Sequence, residues 1–146
     1  MFLDPHQLAE AVTEHMKAND DASRLLGIQI DVTRQGYAES SMTVKKEMTN
    51  GHDICHGGFI FTLADSAFAY ACNSSNKVTL ASGCSIEYLA PAQIGDRLKA
   101  VAKERSRAGR TGVYDVEISN QKDVLIALFR GKSYQIKGEV IPTKND

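Results

Sequence analysis

Apolar positions recur along the chain in two different periods, and the change of period divides it into elements. In "PHQLAEAVTEHMKAN", Pro5 to Asn19, the residues Leu8, Val12 and Met16 recur every four positions and so share one face of an amphipathic helix. Pro5 is acceptable there because the first helical turn has no intrahelical use for its missing N–H. From Gly27 the period drops to two. Ile28, Ile30 and Val32 alternate with polar residues, a turn falls near Gln35 and Gly36, and Ala38, Ser40, Met42 and Val44 resume on one side. This predicts a β-hairpin.

The run from Phe59 to Cys72 is apolar almost all round a helical cylinder, the pattern of a helix buried on most sides. Four strand-like segments follow. "VTLASGCSIEYLAP" is rich in small and β-prone residues and ends at Pro91. "RLKAVAKERSR" alternates Leu98, Ala100 and Ala102 with Lys99, Val101 and Lys103, "VYDVEISN" sets Val116 and Ile118 against Asp115 and Glu117, and "VLIALFRGKSYQI" is the last. "AQIGD", "AGRTG" and "QKD" supply the turns between them. A polar tail is expected from about Gly138. Strands grouped around one central helix predict an α+β class, with a mainly antiparallel sheet wrapped round that helix in a single domain over residues 1–146.

A chain of 146 residues with 42% hydrophobic content supports one core, near the size at which self-association often supplements it. The formal charge of −1 gives no basic field to collect nucleic acid or anionic membrane, so neither is an expected partner. The longest apolar run is interrupted by Thr62, Asp65 and Ser66, and no spanning helix is expected. Cys55, Cys72 and Cys84 are odd in number and widely spaced, and no signal sequence opens the chain. Reduced thiols and a cytoplasmic location are the expectation.

The candidate chemistry starts from one carboxylate. Between Gly57 and Ser74 the only charged residue is Asp65. An ionised carboxylate in apolar surroundings must touch solvent, accept hydrogen bonds or shift its pKa. Asp65 is therefore either a structural group satisfied by Ser66, Thr62 or a neighbouring chain, or a functional one. "HGG", His56 to Gly58, stands where the helix begins, and a helix start offers unpaired N–H groups and partial positive charge to an anion or a developing oxyanion. Gly57 and Gly58 let a ligand approach the backbone closely. From Gly57 to Asp65 is roughly 12 Å along a helix, too far for one reacting carbon to touch both. A two-fold dimer with antiparallel central helices would bring the start of one to the middle of the other and form two composite sites at once.

Other chemistries are weaker. His52, Cys55 and His56 are metal-type ligands within five positions, but no second Cys/His cluster completes a tetrahedral set, so no metal is expected. Cys55 beside His56 in sequence is not evidence of a thiol–imidazole contact. Nucleotide fingerprints are absent. Arg105, Arg107 and Arg110 around "RAGRTG" can either line a solvated turn or hold phosphate.

With these residues in view, "NGHDICHGGFIFTLADSAFAYACNS", "YLAPAQIGDRLKA" and "GVYDVEISNQKDVLIALFRGKS" resemble the hotdog-fold acyl-CoA thioesterases, most closely those of phenylacetate degradation. The resemblance spans about Ala22 to Lys137. It implies a hotdog fold, dimers that commonly pair into homotetramers, an acyl-CoA substrate of aryl type such as phenylacetyl- or hydroxyphenylacetyl-CoA, and no cofactor beyond the CoA carried by that substrate. It assigns Asp65 as the catalytic carboxylate, supplied by the partner subunit, and Asn50 as a group that places water or substrate. His56 and Gly57 form the electrophilic corner, the Gly57 N–H donating to the thioester carbonyl. Relatives often carry arginine before the proline that ends the third strand, where this chain has Ala90. Arg110 and Thr111 are the substitutes for CoA contact, with Gly58, and Ser82 is a water-positioning hydroxyl. Phe59, Phe61, Phe68 and Tyr70 would line an apolar acyl pocket unless they are core. Asp65 acts either as general base on water or as nucleophile through a mixed anhydride. A non-catalytic acyl-CoA sensor is the rival class.

Overall fold

The structure, a computed structural model, describes residues 3–142. Helix α1 (Pro5–Ala18) starts at a reciprocal cap: Asp4 accepts from the Gln7 N–H at 2.8 Å, and the Gln7 side chain accepts from the Asp4 N–H at 3.1 Å. Helix α2 (Asp21–Leu26) has no counterpart among the expected elements, since six residues are too few for a helical period to show. Its signals are local: Asp20 caps the Ser23 N–H, and Gly27, at φ 68°, closes the last turn in the left-handed conformation.

Strands β1 (Gln29–Arg34) and β2 (Tyr37–Thr43) form the expected hairpin, with Gly36 at φ 71° in its turn. A bulge between Ile30 and Val32 shifts the alternation. Thr33 is therefore buried in place of Val32, and the Thr13 hydroxyl of α1 donates to it at 2.8 Å. After a short 3-10 turn at Lys46–Met48 come α3 (Gly57–Cys72), β3 (Lys77–Tyr88), β4 (Arg97–Ala108), β5 (Thr111–Ser119) and β6 (Leu125–Glu139). The strands pair antiparallel in the order β1-β2-β4-β5-β6-β3, and α3 contacts every one of them. This is the α+β hotdog arrangement.

Alternation along β4 and β5 works as the sequence requires. Leu98, Ala100, Ala102, Val116 and Ile118 are buried against α3. The aromatic residues of α3 sort differently from the expected pocket: Phe68 packs between Tyr114 and Phe129 at 5.5 and 5.9 Å, Phe61 meets Phe129 at 5.3 Å, and Tyr70 is 2% exposed. Phe68 and Tyr70 are core, and Phe61 is partly buried against it. Phe59 instead borders a cavity.

Two edges of this core are open. Helix α3 is not enclosed all round, because Gly58, Thr62, Asp65, Ser66 and Ala69 stay at least partly uncovered and their spacing puts them on one stripe. Strand β3 pairs only with β6, and from Leu80 to Tyr88 every residue but Ile86 is exposed. It runs antiparallel to α3, tied at one end by Tyr88 to Gly57 and at the other by Thr79 to Asn73. Near the expected start of the tail, β6 ends at Glu139, and Asn76 then holds Ile141 through two hydrogen bonds of 2.8 and 2.9 Å. The last four residues of that tail lie outside the described residues.

Gly131 of β6 is where the core admits no side chain. A Cβ there would lie 2.7 Å from Cε2 and Cζ of Phe68, a ring already fixed by two aromatic neighbours. Gly131→Ala is expected to destabilise the fold by about 1–3 kcal/mol through overpacking. A urea melt checks this, and an unchanged midpoint would contradict the packing.

Candidate active site

The start of α3 is set by the sequence just before it. Asn50 to Cys55 closes a tight loop: the Asn50 N–H donates to the Ile54 carbonyl at 2.9 Å, Asp53 sits at φ 60°, and Thr49 bridges to Cys55. Asn50 Oδ1 accepts from the His52 N–H at 2.9 Å, so the Nδ2 group is the part of that side chain left to serve a ligand. The chain then enters the helix through His56, whose Nδ1 accepts from the Gly58 N–H at 2.9 Å. His56 thus caps the helix as an acceptor, where an ordinary structural histidine would donate to a carbonyl. With Nδ1 occupied, Nε2 carries the proton of the neutral ring.

This cap takes the N–H of Gly58 and leaves that of Gly57. Among the described residues nothing accepts from the Gly57 N–H. A bare donor at the positive end of a sixteen-residue helix is a ready site for developing negative charge on oxygen. The Gly57 carbonyl, by contrast, accepts from the Tyr88 hydroxyl at 2.9 Å, which fixes the strand end to the helix start. A Cβ on Gly57 would lie 2.8 Å from Tyr88 Cζ, so this close approach needs glycine. Tyr88 went unseen in the sequence, because strand alternation says nothing of a hydroxyl reaching across to a helix terminus.

Asp65 lies two turns further along α3, on the uncovered stripe. Neither local partner foreseen for it is available: the Thr62 hydroxyl donates to the Gly58 carbonyl at 2.9 Å, and the Ser66 hydroxyl pairs with Ser23 at 3.2 Å. No described residue donates to Asp65, and partial burial pushes its carboxyl above the ordinary carboxylate range. A half-buried, unpartnered carboxylate with raised pKa is a better proton acceptor than an ordinary one.

Two clefts flank the helix start. One, of about 520 Å³, is lined by Asn50, Cys55, Gly57, Ile60, Tyr88 and the segment to Ala92. The other, of about 570 Å³, lies between α2 and α3 and is lined by Ala22, Leu25, Leu26, His56, Gly58, Phe59 and Thr62. Asn50 and Gly57 thus share one cleft, while His56 and Gly58 border the other. The remaining candidates lie elsewhere. Ser82 sits at a bulge in β3 and its hydroxyl donates to the Lys132 carbonyl at 3.2 Å. Arg110 is in the β4–β5 turn and Thr111 opens β5, at the Cys72 end of α3 and so far from Gly57 in the same chain. Arg105 and Arg107 pair with Asp115 and Glu104, whereas Arg110 has no acidic partner among the described residues. Cys55 is buried and its thiol is pushed up to about 11, which removes it as a nucleophile. Among the described residues no three His, Cys, Asp or Glu side chains converge as a metal site would need, and no helix is long and apolar enough to cross a membrane.

Residues 52–127 match the Thioesterase superfamily, and the chain belongs to that family. It is 50% identical over 125 residues to the acyl-coenzyme A thioesterase PaaI of Escherichia coli strain K12, covering 86% of this chain and 89% of that one. The structure of the E. coli PaaI protein from the phenylacetic acid degradation operon superposes with a TM-score of 0.92 at 46% identity, over 93% of this chain and 99% of that one. A mutant of the phenylacetic acid degradation protein PaaI from Thermus thermophilus gives a TM-score of 0.77 at 33% identity, over 80% of this chain and 100% of that one.

The raised pKa of Asp65 has a stability consequence. Between its unfolded and folded pKa values the native state holds the proton more tightly, so stability falls as pH rises through that window. Asp65→Asn removes this cost. The variant is expected to melt higher than the parent at pH 7–8, with the gap closing as pH falls below the unfolded carboxylate value, as thermal melts across pH would record.

Proposed function

We propose that this chain hydrolyses acyl-CoA thioesters to the free acid and CoA, with aryl substrates of the phenylacetyl type preferred. The observation that carries the reading is the pairing, on one helix, of an unused Gly57 N–H with an unpartnered Asp65 whose proton affinity is raised. Hydrolysis of a thioester needs those two things: a donor waiting where the carbonyl oxygen becomes an oxyanion, and a group that activates water or attacks the carbon itself. Asp65 serves as base or nucleophile, Gly57 as oxyanion donor, Asn50 Nδ2 as a hydrogen-bond donor to water or substrate, and His56 as the cap that holds the corner. The aryl preference rests on the likeness to PaaI.

Both groups sit on one rigid helix, so the working site is composite, with Asp65 from the partner of a two-fold dimer. The open β3 edge and the uncovered stripe of α3 support this, since joining two β3 edges would pair exposed backbone groups and lay the two helices side by side. With Asp65 opposite the partner's Gly57, each helix projects at its Cys72 end roughly 10 Å past that Gly57. Arg110 and Thr111 of the chain that supplies Asp65 then lie outward from the site, in the direction a CoA phosphate would extend. Leu80, Leu128, Tyr134 and Ile136 remain exposed, and apolar cover for them supports pairing of dimers into tetramers.

The test is a thiol-release assay on phenylacetyl-CoA. Asp65→Asn is expected to keep the fold while lowering kcat by about 100-fold or more, with KM little changed, because it removes a group acting on the transition state. Turnover near that of the parent would end the assignment.

A further inference from the structure

Phe68 and Tyr70 belong to the core and Phe61 packs its ring against Phe129, which leaves open where the acyl group of a thioester would go. We propose that it lies in the groove between α2 and the start of α3, and that α2 sets the acyl selectivity of the site. This rests on the thioesterase reading above.

A thioester has two arms that diverge from the carbonyl, and the Gly57 corner has a cleft on each side. The clefts differ in chemistry. The one lined by Asn50 and Tyr88 is also largely apolar, through Ile54, Ile60, Leu89 and Pro91, but it alone adds an amide donor, Asn50 Nδ2, which suits the amide-bearing arm of CoA. The α2 side presents Leu25, Leu26, Phe59 and Ala22, with no charged side chain among its lining. Its volume of about 570 Å³ lies within the usual range for small-molecule sites. It is continuous with the uncovered stripe of α3 through Gly58 and Thr62, one turn before Asp65, so an acyl group there leaves its carbonyl between the helix start and the approaching carboxylate.

The groove is built rather than incidental. Six residues of helix would not hold a wall alone. Asp20 fixes the start of α2, accepting from the Tyr70 hydroxyl at 2.9 Å and from the Ser23 hydroxyl at 2.7 Å, and Ser23 pairs with Ser66 of α3 at 3.2 Å. Gly27 then turns the chain into β1. With its inner face pinned in this way, α2 carries Leu25 outward at 81% exposure beside the groove, an apolar side chain with no packing role in the single chain.

The test compares kcat/KM for acetyl-, phenylacetyl- and decanoyl-CoA by thiol release in the full chain and two variants, with oligomeric state followed by light scattering. Ala22→Phe fills the groove and is expected to lower the phenylacetyl-to-acetyl ratio by about tenfold or more. Leu25→Ala widens it and is expected to raise the decanoyl-to-phenylacetyl ratio. Ratios within about twofold of the parent in folded, active variants would overturn the assignment while leaving the thioesterase reading intact. Equal losses on all three substrates would also overturn it, as would loss of the oligomer with Leu25→Ala, which would make the groove a contact between copies. A parent chain that releases no thiol from any of the three would bring down both readings.

Discussion

A helix is rigid, and that rigidity organises this molecule. The N–H that can receive an oxyanion belongs to Gly57 and the carboxylate that can take a proton belongs to Asp65, on the same α3, two turns apart. No bend of a sixteen-residue helix brings them to one carbon. The catalytic reading therefore needs a second copy, and the architecture leaves room for one. The sheet covers α3 on most sides but exposes the stripe that carries Asp65, and β3 ends the sheet with its outer edge unpaired among the described residues. What looks in one chain like an incomplete core is the surface on which the site would be completed.

Local interactions then decide which backbone donor is free. His56 commits its Nδ1 to Gly58, Tyr88 commits its hydroxyl to the Gly57 carbonyl, and the Gly57 N–H is left over. A similar division surrounds Asp65. Thr62 and Ser66 are its nearest polar neighbours along the helix and both are engaged elsewhere, so no described residue relieves the cost of partly burying the carboxylate. A group held at higher energy than its fold requires is a common sign of function over stability.

Sequence periodicity carried much of this, for physical reasons. The long strands and α3 bury one face each, so Leu98, Ala100, Ala102, Val116 and Ile118 declare themselves by spacing alone. Asp65 was legible as the one charge in an apolar helix, and Gly57 as a glycine at its start. What stayed hidden depends on contacts between distant elements or on very short ones. The bulge that exchanges Val32 for Thr33 is a register event, the Tyr88 hydroxyl crosses from strand to helix, and α2 is only six residues long. The ring of Phe68 reads equally well as pocket or core until Tyr114 and Phe129 are seen on either side.

The central claim is that each site takes Gly57 from one chain and Asp65 from the other, and mixing two inactive variants tests it most directly. Asp65→Asn and Gly57→Val each damage both sites of a homodimer, but a mixed dimer contains one site in which both groups are intact. Co-expressed in equal amounts, the two are expected to recover about a quarter of the parent thiol-release activity, because half the dimers are mixed and each has one working site. Recovery no greater than the sum of the two separate variants would show that Gly57 and Asp65 do not meet across the dimer.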